Sequence, residues 1–436
     1  MTASRIRLGM VGGGQGAFIG EVHRIASRLD NHFELVAGAL SSDTERATES
    51  AAELGIAARR SYADYQDMAK QEAKKKDGIE AVVIVTPNHL HVPVARAFIE
   101  AGIHVVCDKP LAVNLAEAEE LAKLASDSGL LCAVTYNYSG YPMVRQARQM
   151  IADGELGIIR VIQVEYAQDW LATNIETAGQ KQAAWRTDPE QAGAGGCIGD
   201  IGTHAYHLAE FISGQEASAI LADLDAFVAG RTLDDNAHIL LRFKNGAKGM
   251  LWASQVASGK ENGLQIRVYG DKGGLEWAQE DPNYLQFTIL GESRRTLTRA
   301  GSGVGEVANN AARLPAGHPE GFLEGFANLY REIAGQIRAM AEAATGPVLV
   351  ILDSDHSEAH VAKELEIYAP MTTVGSYCLV QDGIIDELFM FRKGRPGPLP
   401  ALEKYLARHP EFEIDHERCK RFLITHHPKG WLKRVQ

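Results

Sequence analysis

The stretch that decides the fold is Ile6–Ala17, which reads IRLGMVGGGQGA. Its apolar first half predicts a buried strand, and the glycines after it predict a tight turn into a helix. In the pattern G-x-G-x-x-A, Gly12 permits the turn, Gly14 lets a pyrophosphate approach the backbone, and Ala17 lets the helix pack on the strand. The helix N-terminus would supply amide donors to the phosphates. The turn residues predicted to bind a dinucleotide are Gly12, Gly14, Gln15, Gly16 and Ala17.

Apolar runs alternate with helical patterns over residues 1–140, an order that gives a parallel, doubly wound Rossmann sheet. This stretch is therefore predicted to be a dinucleotide-binding α/β domain. Its strands are predicted at Ile6–Val11, Leu35–Leu40, Ala81–Val85, His104–Cys107 and Leu130–Thr135.

Beyond about residue 155, strand segments follow one another with turn signals between them, which favours a mainly antiparallel sheet. Residues 141–345 are therefore predicted to form an α+β substrate domain, and residues 346–436 a third, partial α/β segment. The strands predicted in the second domain are Ile158–Tyr166, Ala237–Phe243, Gly249–Ser254 and Leu264–Tyr269. Its helices are predicted at Asp200–Ile212 and Gly321–Ala344.

The composition excludes several classes of protein. Of the 436 residues, 45% are hydrophobic and 23% are charged, as in soluble globular proteins. The net charge of −12 argues against nucleic-acid binding, and no apolar run is long enough to span a membrane. The five cysteines lie far apart without a CxxC motif, which favours reduced thiols and a cytoplasmic location over disulfides or zinc.

The choice between NAD and NADP stays open in the sequence. An acidic residue at the end of the second strand would bind the ribose 2′-hydroxyl and favour NAD. Ser41 occupies that position, and Asp43 has the spacing of an N-cap for the next helix. A serine tolerates a 2′-phosphate, although no arginine is adjacent to it in the sequence.

Two further strand ends carry unusual polar residues. The third strand ends in TPNHLH, residues 86–91, and the fourth ends in Asp108-Lys109-Pro110. Ligands of open α/β sheets bind beyond the carboxyl ends of the strands, so both turns are expected to face the cofactor. Lys109 is well placed to steer a substrate hydroxyl and to lower the pKa of a neighbouring base.

The second domain supplies a candidate base in the sequence GDIGTH. Asp200 and His204 are four residues apart at the start of a helix, so they share one face. Hydride removal from a secondary alcohol needs a base for the hydroxyl proton, and histidine titrates in the appropriate range. We expect His204 to be that base, with Asp200 orienting it or contacting the substrate.

Together, GGGxGA, TPNHLH, DKP and GDIGTH resemble the glucose–fructose oxidoreductase/inositol dehydrogenase (Gfo/Idh/MocA) family over about residues 5–345. Membership would imply a sugar, inositol or related polyol as substrate. It would also imply that Lys109, Asp200 and His204 are catalytic. Asp108 stands where the family usually has glutamate. The resemblance further implies cofactor contacts at Ser41, Thr86, Pro87, Asn88, His91, Asp108, Lys109 and Asn137, and substrate contacts at Tyr136, Trp185 and Arg186.

The segment 347–435 resembles the latter part of the cephalosporin hydroxylase/rhamnosyl O-methyltransferase family. The resemblance rests on VLVILDSDHSEAHVAKELEIYAP, GSYCLVQD, GRPGPLPALEKYL and FLITHHPKGWLKRV. Asp353 and Asp382 end predicted strands, where such enzymes place carboxylates for Mg²⁺. However, the segment is half of such a domain and lacks a glycine loop of its own. Binding of S-adenosylmethionine or Mg²⁺ is therefore not expected, and a structural remnant is the favoured interpretation.

Three hypotheses for function follow. The favoured one is an NAD(P)-dependent dehydrogenase that moves a hydride to or from a carbohydrate-like CH–OH group. The alternatives are a nucleotide-binding protein without redox turnover and an S-adenosylmethionine-dependent O-methyltransferase acting through the C-terminal segment. By analogy with proteins of this architecture, a homo-oligomer formed through the open face of the second sheet is also expected.

Overall fold

The computed structural model describes residues 4–345, 349–352, 357–381, 397–419, 429 and 431–436. The chain divides into two compact units, Met1–Gln336 and Ile337–Gln436. The predicted domain boundaries at residues 140 and 345 stay predictions. Within the described residues, none of the helices has the length and hydropathy needed to cross a bilayer.

The first unit begins with a five-stranded parallel sheet whose strand order is β2-β1-β3-β4-β5. The strands are β1 Ile6–Gly12, β2 Phe33–Ala39, β3 Ala81–Val85, β4 His104–Cys107 and β5 Cys132–Val134. The helices are α1 Phe18–Leu29, α2 Thr44–Glu53, α3 Tyr65–Glu72, α4 His91–Glu100 and α5 Leu115–Ser128. Strand order reverses between β1 and β3, so a crevice forms beyond the carboxyl ends of the central strands. This confirms the predicted Rossmann sheet.

The same unit contains a mixed eight-stranded sheet with strand order β13-β12-β11-β10-β6-β9-β8-β7. Its pairs are antiparallel except β6 with β9, among the described strands. The predicted strands are β6 Ile159–Ala167, β8 Asn236–Phe243, β9 Lys248–Ser254 and β10 Gly263–Gly270. The strands not predicted are β7 Ala217–Asp225, β11 Gly273–Ala278, β12 Tyr284–Ile289 and β13 Arg295–Thr298. Eight of the nine residues of β7 are exposed, so burial imposes no alternating pattern on its sequence.

The helices after the Rossmann sheet are α6 Pro142–Ala152, α7 Lys181–Arg186, α8 Pro189–Ala192, α9 Thr203–Ser213, α10 Glu306–Asn309 and α11 Phe322–Thr345. Of these, α6 and α9 pack on the second sheet. The helix predicted from residue 200 differs at its start, because residues Ile198–Gly202 form a π-helical turn before α9 begins. A side chain at Gly202 would lie 2.3 Å from the Cδ1 atom of Ile198, so the Ile198 side chain would have to shift to admit one.

The second unit contains a four-stranded sheet with order β14-β15-β17-β16. Its strands are β14 Val350–Leu352, β15 Tyr377–Val380, β16 Phe412–Ile414 and β17 Trp431–Arg434. Its helices are α12 Glu358–Tyr368, α13 Pro398–Leu406 and α14 His416–Cys419. A buried core forms inside this unit from Leu365, Leu402, Tyr405 and Leu432, among others.

A buried charge cluster fastens α3 to the first sheet. The carboxylate of Glu72 accepts hydrogen bonds from Arg60, from the Tyr62 hydroxyl at 2.6 Å, from Lys75 at 3.0 Å and from the Ile79 amide at 3.2 Å. Burial opposes ionisation of Glu72, but these hydrogen bonds, that from Arg60 foremost, outweigh it and lower its pKa. Ionised Glu72 therefore stabilises the folded Rossmann domain.

We expect Glu72→Gln to lower the free energy of unfolding by about 3–5 kcal/mol at pH 7, because Arg60 loses its buried counter-ion and keeps only the exposed carboxylate of Asp77, 3.8 Å away. The loss should shrink as the pH falls. Since the pKa of Glu72 is lower in the folded than in the unfolded state, its contribution is complete at neutral pH. It is lost as the pH falls through the folded-state pKa. Urea unfolding followed by circular dichroism, at pH 7 and in acid, measures both effects.

The control is Glu49→Gln, which removes an exposed carboxylate of α2. A destabilisation by Glu72→Gln no larger than that by Glu49→Gln would show that the cluster does not hold the domain together.

Candidate active site

A cleft of about 1060 Å³ lies beyond the carboxyl ends of the Rossmann strands and extends to the second sheet. Most of the predicted site residues line it. They are Gly12, Gly14, Gln15, Ala17, Ser41, Thr86, Pro87, Asn88, Asp108, Lys109, Asn137, Trp185, Arg186, Asp200 and His204. Three predicted residues, Gly16, His91 and Tyr136, are not among the lining residues.

The glycine turn has the geometry that a dinucleotide needs. Gly12 has φ +78°, a backbone conformation that other residues rarely adopt. A Cβ atom at Gly14 would lie 2.8 Å from both the Leu40 carbonyl oxygen and the Ser50 hydroxyl. Gly14 is thus required by close packing against β2 and α2, in addition to any approach of a phosphate.

Unpaired polar atoms of cleft-lining residues also support a dinucleotide site. The Thr86 hydroxyl and the Asn137 side-chain nitrogen are buried without a hydrogen-bond partner in the described structure. Both residues line the cleft. Buried polar groups are rarely left unpaired, so these atoms fit the role of ligand contacts. The site therefore fits an NAD-type cofactor, because the glycine turn, Thr86 and Asn137 all belong to the lining of one cleft.

The side chains of Lys109 and Asp200 meet in the middle of the cleft. Lys109 Nζ donates to Asp200 Oδ1 at 2.8 Å and to the Asp200 carbonyl oxygen at 2.7 Å. Both side chains are largely buried, at 14% and 17% exposure. The turn before Lys109 is also fixed, because Asp108 Oδ1 accepts hydrogen bonds from the Lys109 amide and the Thr135 hydroxyl. Hydrogen bonds therefore fix both the backbone amide and the side-chain ammonium group of Lys109.

Three side chains, two of them cationic, donate hydrogen bonds to the carboxylate of Asp200. Besides Lys109, Arg186 Nε donates to its Oδ2 atom at 3.2 Å and Gln255 Nε2 to the same atom at 2.9 Å. Burial opposes ionisation, but the nearby charges of Lys109 and Arg186 outweigh it and hold the pKa of Asp200 far below its usual range. Asp200 is thus a permanent carboxylate, and its hydrogen-bond donors, among the described residues, do not include His204.

His204 lies one turn after Asp200 and also lines the cleft. Its ring is buried among Tyr136, Tyr138 and Tyr166, each within 6.2 Å between ring centroids. Its Nδ1 atom has no hydrogen-bond partner in the described structure. Burial, reinforced by the positive charge of Lys109, lowers the pKa of His204 well below 6.5. The ring is therefore neutral near pH 7 and able to accept a proton.

The π-helical turn that carries Asp200 is anchored by Asp234, a residue that the sequence analysis missed. The Asp234 carboxylate accepts from the Gly196 amide at 2.7 Å and from the Ile198 amide at 2.8 Å. A side chain at Gly196 would lie 2.0 Å from the Asp234 carbonyl oxygen. The local sequence gave no signal for this role, because the turn that Asp234 anchors lies 36 residues earlier in the chain.

The far wall of the cleft is lined with hydrogen-bonding side chains that were also missed. The Tyr138 and Tyr166 hydroxyls are 2.6 Å apart, and Tyr166 donates to Asn262 Oδ1 at 2.7 Å. Gln168 donates to the same Asn262 atom at 2.8 Å, and Trp170 Nε1 donates to Gln168 at 3.1 Å. These residues come from the turn before α6, from β6 and the loop after it, and from the loop before β10, which sequence patterns alone do not bring together.

Trp185 and Arg186 also line the cleft, and their contacts with a substrate stay a prediction. The Arg186 guanidinium stacks on the Trp185 ring at 4.2 Å and lies 5.9 Å from the Trp170 ring. Tyr136 instead stacks on His207, with ring centroids 4.4 Å apart, behind His204. Tyr136 therefore packs against the His204 ring and is not among the residues that line the cleft.

His91 lies beneath the cleft and joins the two polar turns. Its Nδ1 atom is 2.6 Å from the Pro110 carbonyl oxygen, and its Nε2 atom is 2.9 Å from the Thr86 carbonyl oxygen. Only 1% of the residue is exposed, and burial lowers the pKa of the ring. The structure thus places His91 between the turn that contains Lys109 and the turn that contains Asn88.

The predicted metal ligands Asp353 and Asp382 lie outside the described residues. Within the described ranges, histidine, cysteine, aspartate and glutamate side chains form no group of three or more that could hold a metal ion.

Comparison with known proteins matches three ranges of the chain to protein families. Residues 6–136 match the oxidoreductase family with an NAD-binding Rossmann fold, and residues 144–276 match the GFO/IDH/MocA C-terminal domain. Residues 313–435 match the rhamnosyl O-methyltransferase/CmcI family, a range that begins before the predicted start of the tail.

Three relatives illustrate the similarity. An uncharacterized oxidoreductase, YfiI, from Bacillus subtilis is 41% identical over 77% of this chain and 86% of its own. Levoglucosan dehydrogenase from Pseudarthrobacter phenanthrenivorans is 30% identical over 66% of this chain and 77% of its own. The crystal structure of an inositol dehydrogenase homolog from Azotobacter vinelandii, in complex with NADH and myo-inositol, is 39% identical. It covers 79% of this chain and 88% of its own, with a TM-score of 0.74.

We expect His91→Phe to lower the free energy of unfolding by about 1–3 kcal/mol, because the neutral ring donates its one N–H to either the Thr86 or the Pro110 carbonyl, and that carbonyl loses its buried donor. The rate constant for turnover should also fall, since the turn that carries Lys109 is released. The control is His89→Phe in the same turn, because the Nδ1 atom of His89 has no hydrogen-bond partner in the described structure. Equal unfolding midpoints for the two variants would contradict the bridging role of His91.

Proposed function

Because this chain belongs to the Gfo/Idh/MocA oxidoreductase family, with its NAD-binding Rossmann fold, we propose that it interconverts a secondary alcohol and a ketone of a sugar, inositol or related polyol. The observation that carries the proposal is the contact between Lys109 and Asp200 in the same cleft as His204 and the glycine turn. Bound cofactor supplies the nicotinamide that accepts or donates the hydride.

The protein's own residues handle the hydroxyl group. When an alcohol is oxidised, its carbon loses a hydride and its oxygen loses a proton. The Lys109 ammonium stabilises the negative charge that develops on this oxygen, and His204 accepts the proton. Asp200 holds Lys109 at the place where the hydroxyl must bind. In the reverse direction, protonated His204 returns the proton to the carbonyl oxygen.

The far wall of the cleft favours a substrate with several hydroxyl groups. Hydroxyl and amide side chains of Tyr166, Gln168 and Asn262 present both donors and acceptors there. Trp170 and Trp185 add flat apolar surfaces, which suit the C–H face of a sugar ring. Levoglucosan, after which one relative is named, and myo-inositol, which is bound in the structure of another, are cyclic molecules of this kind. We propose a cyclic polyol as substrate.

We expect Lys109→Met to lower the rate constant for turnover by a hundredfold or more, on the order of 3 kcal/mol of transition-state stabilisation. Dinucleotide binding should change little, because the glycine turn is untouched. The measurement is NADH formation at 340 nm with myo-inositol, levoglucosan and a panel of sugars, alongside calorimetric binding of NAD⁺. Lys123→Met serves as the control, since Lys123 is an exposed lysine of α5.

Turnover by Lys109→Met within twofold of the unmodified protein would contradict the proposed mechanism. Tight binding of NAD⁺ with no turnover on any polyol would favour the alternative of a nucleotide-binding protein without redox activity.

A second prediction concerns pH. Because the pKa of His204 lies well below 6.5, its ring is already neutral in weak acid and the rate of alcohol oxidation should stay high down to that range. Activity should fall only as the pH drops through the lowered pKa and the base becomes protonated. The pH profile of kcat, compared with that of His204→Asn, measures this. A midpoint of the acidic limb at or above 6.5 would exclude His204 as the base.

A further inference from the structure

We infer that Arg231 is a positioning residue for substrate binding, because it fixes the segment that carries two tryptophans of the cleft; this inference rests on the proposed function. The segment, residues 168–186, follows β6, and we call it the tryptophan segment. Trp170 lines the cleft near its start and Trp185 near its end. The stretch 171–179 between them is not among the lining residues, so its position must be set from outside the cleft.

The guanidinium of Arg231 holds this middle stretch. Its Nη1 atom donates to the Leu171 carbonyl oxygen at 2.6 Å, and its Nη2 atom donates to the Thr173 carbonyl oxygen at 3.0 Å. Its Nε and Nη2 atoms donate to the two carboxylate oxygens of Glu176 at 2.8 and 3.0 Å. A planar guanidinium can make this bidentate pair, whereas an ammonium group cannot. The hydrogen bond from Arg231 lowers the pKa of Glu176, so the carboxylate is ionised at neutral pH.

Arg231 is itself held in place just before β8. Its Nη1 atom also donates to Asp235 Oδ2 at 3.4 Å, and the Asp235 carboxylate accepts from the Phe227 and Val228 amides at 2.9 and 3.0 Å. The side chains of Arg231 and Asp235 are only 3% and 2% exposed, so salt screens their charges little. The tryptophan segment is therefore anchored, through one buried arginine, to the start of a strand of the second sheet.

The effect of Arg231 on a substrate is indirect, because Arg231 is not among the residues that line the cleft. The tryptophan segment is also joined to the catalytic residues, since the Leu171 amide donates to the Gln255 carbonyl oxygen at 3.1 Å and the Gln255 side chain binds Asp200. A binding surface that is fixed before the ligand arrives avoids the cost of ordering it on binding. Arg231 therefore keeps the two tryptophan rings in place for a ring-shaped substrate.

The test is steady-state kinetics of the full chain with NAD⁺ and the polyol that it oxidises fastest, myo-inositol and levoglucosan being tried first. Arg231→Met should raise KM for the polyol by about tenfold, because loss of the charge-assisted contacts releases the tryptophan segment. The value of kcat should stay within about threefold, since Lys109 and His204 are untouched. Glu176→Ala should raise KM as well. The double variant should show no more than the larger single effect, because both changes remove the same contact.

Tryptic cleavage reports the position of the segment without any turnover. Lys181 is exposed within the tryptophan segment, and cleavage after it, followed by mass spectrometry, should be about tenfold faster in Arg231→Met. The matched control is Arg59→Met, which removes an exposed arginine that is not among the cleft-lining residues and should change neither KM nor cleavage. A variant that only destabilised the fold would lower kcat, through the amount of active protein, and leave KM unchanged.

A KM for Arg231→Met within about twofold of that of the unmodified protein would overturn the inference, whatever the rate of cleavage, and leave the proposed function standing. A raised KM without faster cleavage would overturn it too, because Arg231 would then not act through the tryptophan segment. Absence of turnover by the unmodified protein on every polyol would overturn the proposed function together with the inference.

Discussion

The ion pair between Lys109 and Asp200 is the contact on which the arrangement of the active site depends. It joins the end of a Rossmann strand to a π-helical turn 91 residues later in the chain. Separating two largely buried charges would leave each one uncompensated, which is far more costly than breaking a surface pair. The pair therefore holds the two sides of the cleft in register, and a substrate hydroxyl that binds between them meets a preformed electrostatic environment.

The Rossmann sheet and the family resemblance could be predicted from the sequence, and both are confirmed. Strands such as β3, buried over its whole length, leave a continuous apolar signal between turn residues. The unpredicted strands lack such a signal. β7 is an exposed edge strand, and β13 is a four-residue polar strand defined by its pairing with β12. Pairing between distant segments, rather than local pattern, determines these elements.

The candidate site divides in the same way. The carboxyl ends of parallel strands share one edge of the sheet, so the sequence was enough to expect Lys109 near the glycine turn. Lys109 and the glycine turn do line the same cleft. The direction in which a side chain points could not be predicted in this way. His91 follows the same strand as Asn88, yet it points beneath the cleft to two carbonyl groups. Asp200 was expected to orient His204 or to contact the substrate, and the hydrogen bonds that its side chain accepts from Lys109, Arg186 and Gln255 were not foreseen, because the sequence does not show which distant side chains reach it.

The C-terminal segment has physical features of its own. The match to the rhamnosyl O-methyltransferase/CmcI family confirms the predicted resemblance, and the segment has its own buried core. In its described sheet only β14 and β15 are parallel, whereas β17 pairs antiparallel with both of its neighbours. A crevice of the Rossmann type needs parallel strands on both sides of a reversal in strand order. Among the described residues, those that line the cleft lie between Val11 and Phe326. The residues to which we assign the proposed hydride transfer therefore belong to the first unit.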